Sequence, residues 1–431
     1  MNWKDTYRSR LTTAEEAVAH IKSGDRVVLG HAAGEPLHLT QSMVRNAAAY
    51  SNVEIAHMLV LGSCDYCRPE YADNFRHNAL FVSPPARNAT ESGQADFTPG
   101  YFYRVPRLFE AALPIDVALI QVTPPDKNGI CSLGVSVDYT LAAMKNAKLV
   151  IAQVNDRMPR TCGSGNIHVA EIDLFVEHSA PLPELAPPKN GPVEEAIGRY
   201  CASLINDGDT LQLGIGAIPD AVLSCLRHKK DLGIHSEMFS DGVVDLMERG
   251  VITNSKKTCK PGVSVANFLM GTQRLYDFVS NNPLVELHPV DYVNDPVIIA
   301  QNDNMVCINS CVQVDLMGQV ASETVGYKQI SGVGGQVDFV RGAAMSKNGR
   351  SIMAMPSTAK GKVSKIVPVL DEGSAVTTSR NDVDYVVTEY GIAHLTGRTL
   401  RERAKALIRI AHPDFRPRLC AEYEKRFHAK Y

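Results

Sequence analysis

Two similar open α/β domains with mostly parallel sheets and an active site in the cleft between them are the architecture this 431-residue sequence predicts. Three observations carry that expectation. The chain repeats one plan at a shift of 184 residues, as Gly24 to Gly208 and Gly30 to Gly214 both give. Its apolar runs V-A-L-I-Q-V (117–122) and L-V-I-A-Q-V (149–154) are continuous, as suits strands covered on both faces. A proline-rich stretch, S-A-P-L-P-E-L-A-P-P-K-N-G-P (179–192), excludes helix and central strand and separates the halves.

The elements follow in order. Thr13 and Glu16 form a capping box ahead of A-V-A-H-I, which predicts a helix start. I-K-S-G-D-R-V-V-L-G (21–30) then reads as a Gly-Asp turn, a short strand and a glycine-rich loop running to Pro36. V-E-I-A-H-M-L-V-L-G (53–62) is the next strand, and P-P-D-K-N-G-I (124–130) is a strand-turn-strand signal. Pro192 opens a helix, where its missing N–H costs nothing. The plan then recurs as I-N-D-G-D-T-L-Q-L-G (205–214), L-G-I-H-S-E-M-F-S-D-G (232–242) and V-D-L-M-G-Q-V (314–320). Thr399 and Glu402 make a second capping box before an amphipathic final segment. The expected domains are residues 1–178 and 193–431, with 179–192 as linker.

Composition narrows the function. A net charge of −3 and no five-residue basic run give no footprint for nucleic acid. No apolar stretch approaches the roughly 18 residues of a membrane span, and the polar start carries no signal core, so a cytoplasmic protein is expected. Ten cysteines include one C-x-x-C, Cys64 and Cys67. Without a second tight pair or a histidine pair at ligand spacing, they read as reduced thiols and no metal is expected.

The chemistry points to 213–242. In L-G-I-G-A-I-P-D (213–220) a glycine turn closes an apolar strand, and about twenty residues later I-H-S-E-M-F-S-D-G (234–242) carries Glu237 among mainly apolar or small neighbours, with Asp241-Gly242 making a turn just after. Laid side by side, the loop's backbone N–H groups face that carboxylate, a pairing suited to acyl transfer. A dinucleotide fingerprint is the competing reading, but Pro219 stands where its third glycine belongs, and the segment around His235 and Met238 does not resemble a ribose-binding strand end. Matching Gly62 to Gly242 places His57 where the second half has Glu237, so only the second half is expected to hold the nucleophile. The cluster S-G-V-G-G-Q-V-D-F-V-R-G (331–342) reads as a tight bend or as a further N–H donor, and Lys360 and Lys365 as phosphate partners or solvated lysines. His31, Glu35, His57 and His168 are expected to be structural.

Taken together, G-I-G-A-I-P-D-A-V, H-S-E-M-F-S-D-G-V-V-D-L, S-G-V-G-G-Q-V-D-F-V-R-G and V-V-T-E-Y-G-I-A resemble the acetyl-CoA hydrolase/transferase family of class I coenzyme A transferases. With P-P-D-K-N-G (124–129) and L-M-G-T-Q-R-L-Y-D-F (269–278), the resemblance runs from Trp3 to the final helix. It implies that Glu237 is a nucleophile forming a glutamyl-CoA thioester. It also implies that Gly214, Ile215, Gly216, Ala217, Ile218 and Gly335 contact coenzyme A and that Lys360 supplies a cation. No permanently bound cofactor is implied; coenzyme A enters as substrate and covalent intermediate. The implied partners are a short acyl-CoA (acetyl-CoA or butyryl-CoA) and a small carboxylate, 4-hydroxybutyrate foremost, in a homo-oligomeric, ping-pong enzyme. Acyl-CoA hydrolysis is the alternative activity.

Overall fold

Continuous apolar strands need cover on both faces, and the computed structural model, which describes residues 2–431, meets that need with helices around two main sheets. The chain divides into two units. One comprises residues up to Ala186 together with Val265–Val293; the other comprises Pro187–Ser264 and Asn294–Tyr431.

The first unit holds seven parallel strands: β1 (Arg26–Leu29), β2 (Val53–His57), β3 (Phe75–Ala79), β4 (Ala95–Phe97), β5 (Val117–Val122), β6 (Leu149–Val154) and β7 (Leu174–Glu177), in the order β7-β6-β5-β1-β2-β3-β4. Every residue of β5 is buried, which is why its run never alternates with polar residues. The second unit holds β8 (Thr210–Leu213), β9 (Gly233–Ile234), β10 (Met305–Ser310), β11 (Arg350–Ala354), β12 (Tyr385–Thr388) and β13 (Gly391–His394), in the order β9-β8-β10-β11-β12-β13. Only the β12–β13 pair is antiparallel. The order β7-β6-β5-β1-β2 in one unit and β12-β11-β10-β8-β9 in the other is the same arrangement, so the repeat is topological as well as sequential.

The repeat extends to individual hydrogen bonds. Asp126 N–H donates to the Ile130 carbonyl at 2.9 Å, and Asp315 N–H to that of Gln319 at 3.0 Å. In each turn the aspartate carboxylate accepts two backbone N–H groups, from Asn128 and Ile130 in one and from Met317 and Gln319 in the other. Each turn closes on a glycine with positive φ, 77° at Gly129 and 88° at Gly318, which a side chain would strain.

Two expectations are corrected. The β1–β2 register pairs Val28 with Ala56, whereas β8–β9 pairs Leu211 with Ile234. Carried forward, Met58 rather than His57 takes the place of Glu237, and His57 corresponds to Ser236. Gly62 and Gly242 lie beyond this pairing and misled the alignment by one residue. The segment Val265–Val293, expected in the second domain, belongs to the first unit. The strand Val285–Leu287 pairs in parallel with Cys162–Gly163 there, and Tyr276 donates its hydroxyl proton to the Pro183 carbonyl at 2.6 Å. Pro192 does open a helix, Pro192–Ser203, with Glu194 accepting the Gly191 N–H. No helix among the described residues is long and apolar enough to cross a membrane.

The paired turns allow a direct comparison. Asp315 is buried and also accepts from the Gln319 side chain at 2.7 Å. Asp315→Ala is expected to lower the unfolding free energy by about 2–3 kcal/mol, and Asp126→Ala by markedly less. Urea denaturation of the two variants checks the order.

Candidate active site

Parallel pairing at the end of β8 positions the candidate nucleophile. The His235 N–H donates to the Leu211 carbonyl at 3.2 Å, and the Ser236 hydroxyl to that of Leu213 at 3.1 Å. The strands therefore stay in step past their formal ends, and Glu237 arrives at the level of Gly214. Gly216, with φ 112°, then starts the helix α1 (Ala217–Cys225). The Asp220 N–H makes the bond to the Gly216 carbonyl that opens this helix. The amides of Ala217 and Ile218 precede it, at the carboxyl edge of the sheet where ligands of open α/β folds collect. Ile215 is exposed on the loop and Ile218 is buried beneath it.

Glu237 is half-buried, and its Oε2 accepts from the Asn294 side-chain amide at 2.8 Å. Asn294, itself fully buried, also reaches Asp338 Oδ2 at 3.3 Å. The same Oε2 packs on Gly335: a Cβ there would overlap both the carboxylate and the Asn294 amide nitrogen. Gly335 is the N-cap of the helix α2 (Gln336–Met345), whose Phe339 N–H bonds back to it at 3.0 Å. The carboxylate thus meets the positive end of a ten-residue helix, which favours its charged form by about 0.3–1 kcal/mol, and by up to ~2 kcal/mol where partly buried.

The glycine cluster has two physical reasons. Gly334 has φ 53° and makes the bend, while Gly335 supplies space. Gln336 pins the start of α2: its Nε2 donates to the Ser310 carbonyl at 2.8 Å, and its Oε1 accepts from Ser322 and Thr378.

Other candidates fall elsewhere. Lys360 is exposed at the tip of a short hairpin, Thr358–Ala359 with Val363–Ser364, beyond the carboxyl end of β11. Lys365 is half-buried and donates to the Cys311 carbonyl at 2.8 Å, so its reading as a phosphate partner is set aside. In the first unit, His31 contacts Asp138 at 3.1 Å in a buried network with Ser136 and Tyr139. His168 caps a short turn at Ala170. Glu35 is buried, accepts the Gly62 N–H at 3.2 Å, and is pushed up to about 7 by burial. Asn294 and Asp338 were not singled out from sequence. Asn in Y-V-N-D-P is an ordinary turn residue, and only its partner in space reveals its use.

A glutamate on a helix end beside a strand-to-helix glycine loop is an arrangement whose chemistry can include acyl transfer. Residues 1–184 match the acetyl-CoA hydrolase/transferase N-terminal domain and residues 271–423 the acetyl-CoA hydrolase/transferase C-terminal domain. The chain belongs to that family. It is 63% identical, over 99% of its length and 100% of the relative's, to the 4-hydroxybutyrate coenzyme A transferase of Clostridium kluyveri. It is 47% identical to the succinyl-CoA:cyclohexane-1-carboxylate CoA transferase of Geobacter metallireducens, covering 97% of this chain and 96% of that one. Among solved structures, the 4-hydroxybutyrate CoA-transferase of Porphyromonas gingivalis superposes with a TM-score of 0.86 at 46% identity, over 99% of this chain and 100% of that one.

Two outcomes follow from this geometry. Gly335→Ala keeps an ordinary backbone conformation but displaces the Glu237 carboxylate, so CoA-transfer turnover should fall at least about a hundredfold while the thermal midpoint moves little. A crystal structure of the variant should show the Glu237–Asn294 bond broken. The raised value of Glu35 means the folded state binds its proton more tightly than the unfolded chain does. That contribution to stability is present at low pH and is lost as pH rises from the ordinary carboxylate range to about 7. Glu35→Gln should therefore gain about 2 kcal/mol relative to the parent on going from pH 5 to pH 8, as read by denaturant unfolding at both pH values.

Proposed function

We propose that this protein is a CoA transferase that moves coenzyme A between a short-chain acyl-CoA and a small carboxylate, 4-hydroxybutyrate being the favoured acceptor, with Glu237 as nucleophile. The observation that carries the reading is the Glu237 carboxylate held by Asn294 on the N-terminal end of α2, level with the 214–218 loop. The preference for 4-hydroxybutyrate rests on likeness to the Clostridium kluyveri enzyme.

The proposed reaction runs through Glu237 twice. Its carboxylate attacks the acyl-CoA carbonyl and expels the CoA thiolate, leaving an acyl-glutamyl anhydride. The thiolate attacks the glutamyl carbonyl, and the first acid leaves as its carboxylate while Glu237 carries CoA as a thioester. An acceptor carboxylate attacks that thioester, and the released thiolate attacks the acceptor's acyl carbon. The new acyl-CoA departs and the Glu237 carboxylate is restored. Each attack makes an oxyanion, which in this reading the amides at 214–218 hold; loss of one such donor would cost ~3 kcal/mol. Exposed Ile215 gives the loop an apolar face for a pantetheine chain, Gly335 adds a close backbone approach, and Lys360 adds positive charge near the phosphates. Exclusion of water keeps the thioester energy in the transfer. We place the enzyme in the cytoplasm, and the family resemblance implies a homo-oligomer.

Glu237→Gln separates catalysis from binding: exchange of labelled acetate into acyl-CoA should fall by several orders of magnitude while acyl-CoA affinity stays within a few-fold. Retained exchange would contradict the assignment. In the parent enzyme that exchange should outrun free-thiol release; the reverse would make hydrolysis the main activity. A panel of acceptors should rank 4-hydroxybutyrate above butyrate, propionate and crotonate.

A further inference from the structure

The first unit contains a cluster that the proposed reaction does not use. Cys64 precedes a tight turn, Asp65–Cys67, and Cys67 ends it, with Cys64 held at φ 56° and the two sulfurs 2.9 Å apart. Strand β3 brings a third group. His77, 1% exposed, has a ring nitrogen within 4.8 Å of both sulfurs, and the sulfurs are as close to each other. Its Nδ1 lies 3.1 Å from the Ile55 carbonyl, which can only accept, so Nδ1 carries the proton and Nε2 holds the lone pair. That Nε2 is buried and has no hydrogen-bond partner. Two thiols beside an unpartnered imidazole nitrogen whose other nitrogen is fixed by a carbonyl match the ligand shell of a soft metal site.

We propose that Cys64, Cys67 and His77 form a buried binding site for a zinc-class divalent ion. Binding displaces the two thiol protons, so two thiolates balance the charge of the ion. Cys64 lies in an apolar core cluster with Tyr66 and Phe75, where a neutral filled site is tolerated; a monovalent copper ion would leave a net negative charge there. A tetrahedral ion at about 2.3 Å from each sulfur sets them about 3.8 Å apart, which asks the thiols to open by less than the width of an atom. Half-buried Cys67 gives the ion a way in, and water completes the coordination from that side. The bound ion would tie the 62–72 loop to β3. In sequence the C-x-x-C lacks a second ligand pair; the third ligand is supplied ten residues on by strand pairing alone.

The test is metal analysis of the full-length protein expressed with zinc and purified under reducing conditions without chelator. We expect about one zinc per chain, retained in a Cys420→Ser control and lost at least about tenfold in Cys67→Ser and His77→Gln. Should those variants misfold, cobalt(II) titration of the metal-free, reduced parent protein decides. A thiolate-to-cobalt charge-transfer band saturating at one equivalent and bleached by zinc supports the site. Absence of both zinc and cobalt binding overturns it, as does a Cys64–Cys67 disulfide, seen as loss of two hydrogens by mass spectrometry, in protein purified without reductant.

Discussion

The contact between the Glu237 carboxylate and the Cα of Gly335 constrains everything around it. A carboxylate can lie that close to backbone only where no Cβ intervenes, so the first residue of the α2 cap must be glycine. The cap must also stay in place, and Gln336 achieves this by tying the start of α2 to Ser310, Ser322 and Thr378. Glu237 is equally fixed from its own side, because the Ser236 hydroxyl locks the strand end to Leu213. Asn294 closes the arrangement by donating to the carboxylate from a fully buried position. The helix end and the amide both favour the anion, and the anion is the nucleophilic form.

The repeat explains how such a site arises on this scaffold. Both units place a glycine loop after the strand that starts the plan, and both carry the same aspartate turn after the third strand of the repeat. The fold is complete without a carboxylate at the strand end, since Met58 fills that place in the first unit and is buried. The carboxylate of Glu237 is therefore not required by the frame that the two units share. Comparable glycine loops on their own define a fold and no reaction; under the proposed function the carboxylate and its amide partner add the chemistry.

Much of this was legible in the sequence because it is local. Glycine loops, capping boxes and the two aspartate turns are set by residues within a few positions of one another. Glu237 stood out as a carboxylate among apolar and small strand residues, and Gly335 within a cluster of glycines. Other features depend on chain segments meeting from far apart. Asn294 is 57 residues from Glu237, and no spacing rule links them. The excursion Val265–Val293 joins the first unit through a three-residue strand too short to announce its partner. The placement of His57 against Glu237 failed by one residue because glycines in loops were used as anchors, whereas register is set by the strand pairs before them. His77 reads as an ordinary strand residue until β2 and β3 pair and bring it to the thiols.

The central claim is that Glu237 becomes covalently bonded to coenzyme A during turnover. Incubating the enzyme with acyl-CoA, trapping with borohydride or hydroxylamine and mapping peptides by mass spectrometry tests it directly. The account predicts a modification at Glu237 that appears only after acyl-CoA is added. An unmodified Glu237 in enzyme that is turning over would contradict it.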